Sequence, residues 1–226
     1  MVKGTIGHVR RLVTRAFGRG RQEVSMVGFI ARHPRELARV PRWIRERNAA
    51  TMTLRTPWWP YDAIAWVESV LPSRPRVFEY GGGGSTLWLE DRGAAVTVVE
   101  HDWQWHTQLA ARLGPGTILL FRSPTESGSI ASAAASGYFD DYVAAIDGEP
   151  DGSLDLVIVD GRARVECARR AVQKVRPGGL LLLDDTGRDR YRLAVDLLAD
   201  WERHVFAGLK PGHIPAAETS VWRRIS

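Results

Sequence analysis

The chain has 226 residues, 44% of them hydrophobic and 25% charged, with 31 Lys and Arg against 26 Asp and Glu. This length suits one α/β domain with a modest appendage, and the composition excludes collagen-like, coiled-coil and disordered chains. Cys167 is the single cysteine, which excludes an intramolecular disulfide and a cysteine-based zinc site and favours the reducing cytoplasm. No apolar run approaches the roughly 20 residues of a transmembrane helix, so we expect a soluble protein without a transmembrane segment.

Positive charge is concentrated at the beginning of the chain. Residues 1–55 hold 13 Lys and Arg against three Glu, whereas the remainder holds 18 against 23 acidic residues. Apolar side chains spaced three and four apart predict an amphipathic helix over 35–47, broken near Pro41. We therefore expect a basic, helical N-terminal extension over residues 1–55 and a catalytic domain over residues 56–226. The extension fits an arginine-rich face packed on that domain, a clamp for an anionic polymer, a membrane-surface helix or a homo-oligomerisation arm.

From residue 76 onward, strand and helix patterns alternate. Such alternation predicts an α/β fold with a parallel sheet, helices on both of its faces and a ligand site beyond the carboxyl ends of the strands. The predicted strands lie near 76–80, 95–100, 117–121, 154–160 and 179–184, with a closing pair near 203–207 and 218–224.

A glycine-rich turn follows the first predicted strand. Gly81 to Gly84 precede a helix beginning near Ser85, and glycines there allow a ligand to approach the backbone closely. Glu79, just before the turn, would repel a phosphate and attract a cationic amine. Glu100 ends the second strand 21 residues later, where an acid can accept both hydroxyls of a ribose. Together these residues predict a ligand with a ribose and a cationic head.

The stretch resembles the class I S-adenosylmethionine-dependent methyltransferases, whose motif has an acid before a Gly-x-Gly turn and a second acid closing the next strand. The resemblance implies a Rossmann-like seven-stranded methyltransferase sheet and S-adenosylmethionine as cofactor. A nicotinamide-dependent oxidoreductase and a noncatalytic cofactor-binding protein remain alternatives. The residues expected to bind the cofactor are Glu79, Gly81, Gly83, Ser85, Glu100 and His101.

Three aspartates end two neighbouring predicted strands. Asp160 closes the apolar run Asp155 to Gly161, and Asp184 with Asp185 closes a run of four leucines. Adjacent parallel strands would bring the three carboxylates together beside the glycine turn. Crowded carboxylates need a cation, and hard oxygen ligands suit magnesium or calcium. Alternatively, Asp185 caps the following helix and Asp160 orients the amine of the cofactor.

Over about residues 58–224 this arrangement resembles the metal-dependent O-methyltransferases, both the catechol type and the macrolide and aminocoumarin sugar type. The resemblance implies that Asp160, Asp184 and Asp185 bind Mg²⁺ or another divalent cation, and that the acceptor is a small-molecule hydroxyl, most plausibly of a saccharide or polyol. The cation would lower the pKa of that hydroxyl and fix its oxygen in line with the sulfonium methyl. Ala163 stands where the catechol enzymes have a lysine, and Arg162 where the sugar enzymes have an aspartate, so the usual general base is missing.

The candidate catalytic residues are Asp160, Asp185 and His213, the last in a loop rich in Gly and Pro before the final strand. An ordinary exposed loop histidine is the alternative for His213. Trp58 and Trp59 offer flat faces to an acceptor or pack the extension on the core. Arg162 and Arg164 either pair with an anionic acceptor or brace the acidic loop that precedes them.

A nucleic-acid acceptor is not expected. The Asp/Asn-Pro-Pro-Tyr/Phe tetrapeptide of enzymes that methylate exocyclic amines is absent after the fourth strand, where the chain reads Val-Asp-Gly-Arg-Ala-Arg. The basic N-terminal residues nevertheless leave a metal-independent nucleic-acid methyltransferase as an alternative.

Overall fold

The computed structural model describes residues 28–212 and 217–225. Predictions concerning residues 1–27 and His213 lie outside the described residues. Within them, β-strands form a large sheet and a separate short hairpin. In chain order the strands are β1 (Arg76–Tyr80), β2 (Ala95–Glu100), β3 (Ile118–Phe121), β4 (Ala131–Ser132), β5 (Ala135–Tyr138), β6 (Leu154–Val159), β7 (Val175–Asp184), β8 (Glu202–Gly208) and β9 (Ala217–Arg223).

The large sheet has seven strands in the order β3-β2-β1-β6-β7-β9-β8, and β4 pairs only with β5. Within this sheet, neighbouring strands are parallel from one edge to β7, that is, among β3, β2, β1, β6 and β7. The strand β9 is antiparallel to both β7 and β8. It follows that β8 runs in the same direction as β7. The carboxyl ends of β1, β2, β6, β7 and β8 therefore meet at one edge of the sheet. The predicted α/β, Rossmann-like seven-stranded sheet is confirmed.

Helices cover the sheet. The predicted helix over 35–47 is divided into a 3-10 turn (Pro34–Arg39) and an α-helix that begins at Val40. Pro41 lies in the first turn of that α-helix, a position that needs no backbone N–H.

No helix in the described part of the chain is long and apolar enough to cross a membrane. The α-helices are α1 (Val40–Glu46), α2 (Thr51–Leu54), α3 (Tyr61–Val70), α4 (Gly84–Glu90), α5 (Trp103–Ala110), α6 (Asp140–Ala144), α7 (Arg164–Ala171) and α8 (Arg192–Leu197).

The sheet is buried on both faces. In β6, Leu156 and Ile158 point into one apolar layer, and Val157 and Val159 point into the other. Such alternation between two buried layers explains why the central strands read as nearly continuous apolar runs. Trp43 of α1, which is fully buried, belongs to the first layer together with the sheet residues. Residues 28–54 therefore share a core with the sheet.

Two local elements differ from the sequence-based expectation. The hairpin of β4 and β5 was not predicted, because its Ala-, Ser- and Gly-rich residues show no apolar alternation. The strand predicted near 179–184 begins earlier, at Val175, directly after the turn that follows the helix ending at Ala171.

Candidate functional site

The glycine turn lies between β1 and α4, at the carboxyl edge of the sheet. Gly81 has φ +86°, a left-handed conformation that favours glycine, and a Cβ there would lie 2.7 Å from the Cα of Gly161. A Cβ at Gly84 would lie 2.1 Å from the carbonyl oxygen of Thr56. The turn is therefore packed against the segment that follows β6 and against the segment that follows α2.

Glu79 lies beneath this turn and is completely buried. Its carboxylate accepts hydrogen bonds from Ser85 Oγ and from Thr86 Oγ1, the latter at 2.5 Å. Burial raises the pKa of Glu79 to about 7, since desolvation outweighs the two hydroxyl hydrogen bonds that favour the ionised form. Because the Glu79 side chain holds the beginning of α4, it supports the turn from below instead of facing the open cavity above it.

That cavity has a volume of about 520 Å³ and lies above the carboxyl ends of β1, β2, β6 and β7. It brings together most of the residues that the sequence singled out, from both the cofactor group and the acceptor group. Neither Glu79 nor Trp59 lines it. The predicted residues that do so are Trp58, Gly81, Gly83, Ser85, Glu100, His101, Asp160, Arg162, Arg164, Asp184 and Asp185.

Glu100 closes β2 at one end of the cavity and is 3% exposed. Its Oε1 accepts hydrogen bonds from the backbone N–H groups of His101 at 2.7 Å and Asp102 at 2.9 Å. These bonds fix the carboxylate at the strand end. A rigid carboxylate at this position can accept hydrogen bonds from a diol.

Trp105 completes this end of the cavity and was not singled out from the sequence. Asp102 caps α5 by accepting a hydrogen bond from the Trp105 backbone N–H at 2.8 Å, which orients the first turn of the helix. The Trp105 Nε1 donates to the carbonyl oxygen of Gly82 at 2.6 Å, and the ring covers the glycine turn. The available signal was the Trp-Gln-Trp sequence at the beginning of the helix after the second strand.

At the other end of the cavity, Arg164 lies among the three aspartates. Its Nη2 donates to Asp160 Oδ1 at 2.9 Å, and its Nη1 donates to the carbonyl oxygen of Asp184 at 2.6 Å. The same Nη1 lies 3.5 Å from Asp185 Oδ2. The arginine is 7% exposed, and its guanidinium supplies positive charge at the centre of the aspartate cluster.

The remaining contacts of the aspartates also come from the chain itself. Thr219 Oγ1 donates to Asp184 Oδ1, and Arg188 Nη2 lies 3.0 Å from Asp185 Oδ2. Burial and repulsion from Asp184 raise the pKa of Asp160 to about 8 despite the nearby Arg164. Burial likewise raises the pKa of Asp184.

These contacts do not fit the predicted magnesium site. A divalent cation bound to Asp160, Asp184 and Asp185 would need the oxygen atoms and the space that the Arg164 guanidinium takes, and two positive groups would repel each other there. Among the described residues, no group of three or more His, Cys, Asp or Glu side chains is arranged to hold a metal ion. The crowded aspartates do have a cation beside them, but it is the guanidinium of Arg164 from the same chain and not the predicted metal ion.

The two adjacent tryptophans have different environments. Trp58 is 42% exposed and lines the cavity. Trp59 is completely buried, with its ring edge-on to Trp88 at a centroid distance of 6.4 Å. Trp59 therefore packs in the core, which was the alternative to its predicted contact with an acceptor. Such a contact is not possible at this position because the ring has no exposed surface.

Lys210 is a cavity residue that the sequence reasoning missed. It lies in the loop after β8, is 3% exposed, and places Nζ 4.3 Å from the centroid of the Trp58 ring. The Gly and Pro content of the same stretch of sequence pointed to His213, which lies outside the described residues, and not to Lys210.

No protein-family model and no curated protein matches the sequence, whereas several solved structures resemble the fold. A proposed O-methyltransferase from Klebsiella pneumoniae has 14% identity and a TM-score of 0.51, covering 98% of this chain and 90% of its own. The O-methyltransferase TomG from Streptomyces achromogenes, involved in tomaymycin synthesis and in complex with S-adenosylmethionine, has 16% identity and a TM-score of 0.50, covering 68% and 74%. An rRNA methylase from Streptococcus thermophilus has 15% identity and a TM-score of 0.50, covering 72% and 93%. The chain thus has the fold of these methyltransferases.

Proposed function

We propose that this protein is an S-adenosylmethionine-dependent methyltransferase that acts on a hydroxyl oxygen of a small molecule. One observation carries the proposal: a single cavity joins the glycine turn and Glu100 at one end to the cluster of Asp160, Asp184 and Asp185 at the other. The fold shared with O-methyltransferases supports the same activity.

In this proposal the cofactor occupies the end of the cavity above β1 and β2. The Glu100 carboxylate, held by two backbone N–H groups, accepts hydrogen bonds from the ribose hydroxyls. The glycine turn admits the methionine portion close to the backbone. The exposed part of the Trp105 ring offers an aromatic face to the adenine.

The acceptor hydroxyl then lies near the aspartates. The bond from its oxygen to the methyl carbon forms as the bond from that carbon to the sulfonium sulfur breaks, and S-adenosylhomocysteine leaves. Asp160, which lines the cavity, accepts the hydroxyl proton when it is ionised, and its raised pKa of about 8 means that the ionised form predominates above that pH. The protein's contribution is chiefly to orient the oxygen and the methyl group in line.

A saccharide or another polyol is the acceptor class that we propose. The half-exposed Trp58 ring suits the apolar face of a sugar, and the carboxylate oxygens of Asp160 and Asp185 suit its hydroxyls. Because Arg164 occupies the centre of the aspartate cluster, no step in this proposal uses a metal ion.

Calorimetric titration with S-adenosylhomocysteine tests the cofactor site. We expect the wild-type protein to bind it and Glu100→Ala to bind at least about tenfold more weakly, since charge-assisted hydrogen bonds contribute about 1.5–3 kcal/mol. Glu126→Gln, which alters an exposed glutamate outside the cavity, serves as the control and should bind as the wild type does.

Turnover separates this proposal from its rivals. Transfer of a labelled methyl group to a saccharide in a panel of saccharides and polyols would support it. Binding of NADH in place of S-adenosylhomocysteine would favour an oxidoreductase and overturn it. Cofactor binding with no methyl transfer to any tested hydroxyl compound or RNA would favour a noncatalytic protein.

A further inference from the structure

We propose that Lys210 and Trp58 form an anion-binding subsite, so that the acceptor carries an oxyanionic group, a carboxylate or a phosphate, beside the hydroxyl that receives the methyl group. This inference rests on the proposed function and specifies the substrate class of the same cavity.

The charged side chains at the acceptor end of the cavity differ in whether they have direct partners. Arg164 contacts Asp160 and Asp185, and Arg188 contacts Asp185, so these two carboxylates have cationic partners. Within the described part of the chain, the Lys210 ammonium forms no hydrogen bond and no direct ion pair, although its charge favours the ionised forms of Asp160 and Asp184. Lys210 is 3% exposed and lines the cavity, so its ammonium can donate to a ligand that enters there.

Lys210 is held rigidly by the hydrogen bonds of the residue before it. The backbone N–H of the preceding Leu209 donates to Glu36 Oε2 at 2.8 Å, and the Leu209 carbonyl oxygen accepts from the Tyr61 backbone N–H at 2.9 Å. Both contacts come from elements outside the loop. The loop is therefore fixed immediately before the lysine, as a binding residue requires.

The direct partner of the Lys210 ammonium is the aromatic ring of Trp58. The Trp58 ring attracts the ammonium through its π face at 4.3 Å without supplying a negative charge or a hydrogen-bond acceptor. A Cβ on Gly212 would lie 3.0 Å from Trp58 Nε1, so the loop after Lys210 also packs on this ring. The tryptophan thus positions the cation without neutralising its charge.

The subsite lies at the end of the cavity away from the proposed cofactor position. The carboxyl end of β8, which leads into Lys210, lies at the same sheet edge as the ends of β1 and β2, but on the far side of β7. Glu100 and the glycine turn define the cofactor end at β2 and β1. The carboxylate of the cofactor's methionine is the competing ligand, and cofactor affinity distinguishes it from an acceptor.

A second cation lies nearby. Arg162 lines the same cavity, and its buried Nε has no hydrogen-bond partner among the described residues. It follows β6, between the cofactor end and Lys210, and strengthens the positive potential that an anionic acceptor would meet.

The experiment uses full-length protein saturated with S-adenosylhomocysteine and two anionic probes, benzoate and inorganic phosphate, titrated by calorimetry. Lys210→Met keeps the chain length that packs on Trp58 and removes the charge, whereas Lys210→Arg keeps the charge. Arg169→Met removes one positive charge from an exposed position outside the cavity and controls for net charge. Circular dichroism verifies that each variant is folded.

We expect the wild type to bind at least one probe, Lys210→Met to bind it at least tenfold more weakly, and Lys210→Arg and Arg169→Met to stay within threefold of the wild type. Preference for benzoate would identify a carboxylate, and preference for phosphate a phosphate ester. The inference is overturned if the wild type binds neither probe or if Lys210→Met binds as the wild type does.

Cofactor affinity completes the test. A tenfold loss of S-adenosylhomocysteine binding in Lys210→Met would assign the lysine to the cofactor carboxylate and overturn the inference while leaving the proposed function intact. A wild-type protein that does not bind S-adenosylhomocysteine would overturn the proposed function, and the inference with it.

Discussion

Glu36 accepts a hydrogen bond from the backbone N–H of Leu209 at 2.8 Å across 173 residues of sequence. Glu36 belongs to the basic N-terminal region and is 5% exposed, and Leu209 directly precedes the cavity lysine. The contact makes the N-terminal residues part of the support for the cavity wall at Lys210.

Replacing Glu36 should therefore destabilise the protein. Glu36→Ala leaves the buried Leu209 N–H without an acceptor and should lower the free energy of unfolding by about 1–3 kcal/mol. Glu36→Gln keeps an acceptor oxygen and should cost less. Urea denaturation of the three proteins measures this, and equal loss in both variants would contradict the hydrogen-bond explanation.

The buried Glu79 predicts a pH-dependent stability. Its pKa is raised from 4.5 to about 7, so the unfolded chain loses this proton at lower pH than the folded chain does. The stabilising contribution is therefore fully present below pH 4.5 and is lost as pH rises through about 7, by about 3 kcal/mol in total.

Glu79→Gln removes this titration and mimics the neutral acid. Relative to the wild type, the variant should gain about 3 kcal/mol in free energy of unfolding between pH 4.5 and pH 8. Urea denaturation across that range measures the gain, with Glu126→Gln as the exposed control. Wild-type and Glu79→Gln curves that remain parallel would refute the assignment.

Arg164 should be indispensable to the aspartate cluster. Arg164→Met leaves buried carboxylates without their cation and should destabilise the fold by about 3–5 kcal/mol. Adding Asp160→Asn to Arg164→Met should recover part of that loss. Thermal denaturation of the single and double variants gives the comparison, and no recovery would argue against the pairing.

Metal removal provides an independent measurement on the same cluster. Because the guanidinium supplies the positive charge, excess EDTA should leave the rate of the proposed methyl transfer unchanged, and added magnesium should not raise the melting temperature of the wild-type protein. A rate that falls with EDTA and returns with magnesium would show that a cation displaces Arg164.

Gly84, the residue of the glycine turn that lies against α2, should not tolerate a side chain. A Cβ at Gly84 would lie 2.1 Å from the Thr56 oxygen and 2.7 Å from the Thr51 oxygen, so Gly84→Ala should destabilise by about 1–3 kcal/mol or more. It should also weaken binding of S-adenosylhomocysteine. Gly116→Ala, where no atom lies within 4 Å of the added Cβ, should be nearly neutral in both measurements.

The central fold could be predicted because the sheet is buried on both faces. That burial produces apolar runs with sharp ends, and β1 and β2 have the predicted limits. The hairpin of β4 and β5 lies at the surface, where small polar residues give no periodic signal. Sequence patterns therefore identified the seven strands of the large sheet and missed the surface hairpin.

The site could be predicted only where local sequence determines it. The glycine turn and Glu100 follow directly from the ends of two strands. Arg164 begins α7 directly after Ala163, whose left-handed φ of 48° is not indicated by the local sequence pattern. Lys210 reaches the cavity through pairing of β8 with β9, a long-range relationship that local patterns do not reveal.

The cavity draws its two ends from different parts of the chain. The end with Glu100 belongs to consecutive strand-helix units, whereas Lys210 belongs to the connection inside a single antiparallel hairpin, β8 and β9. Residues in that connection can be exchanged without altering the parallel strands. We therefore expect natural relatives that methylate different compounds to diverge most in this connection, and engineered changes of substrate preference to begin there.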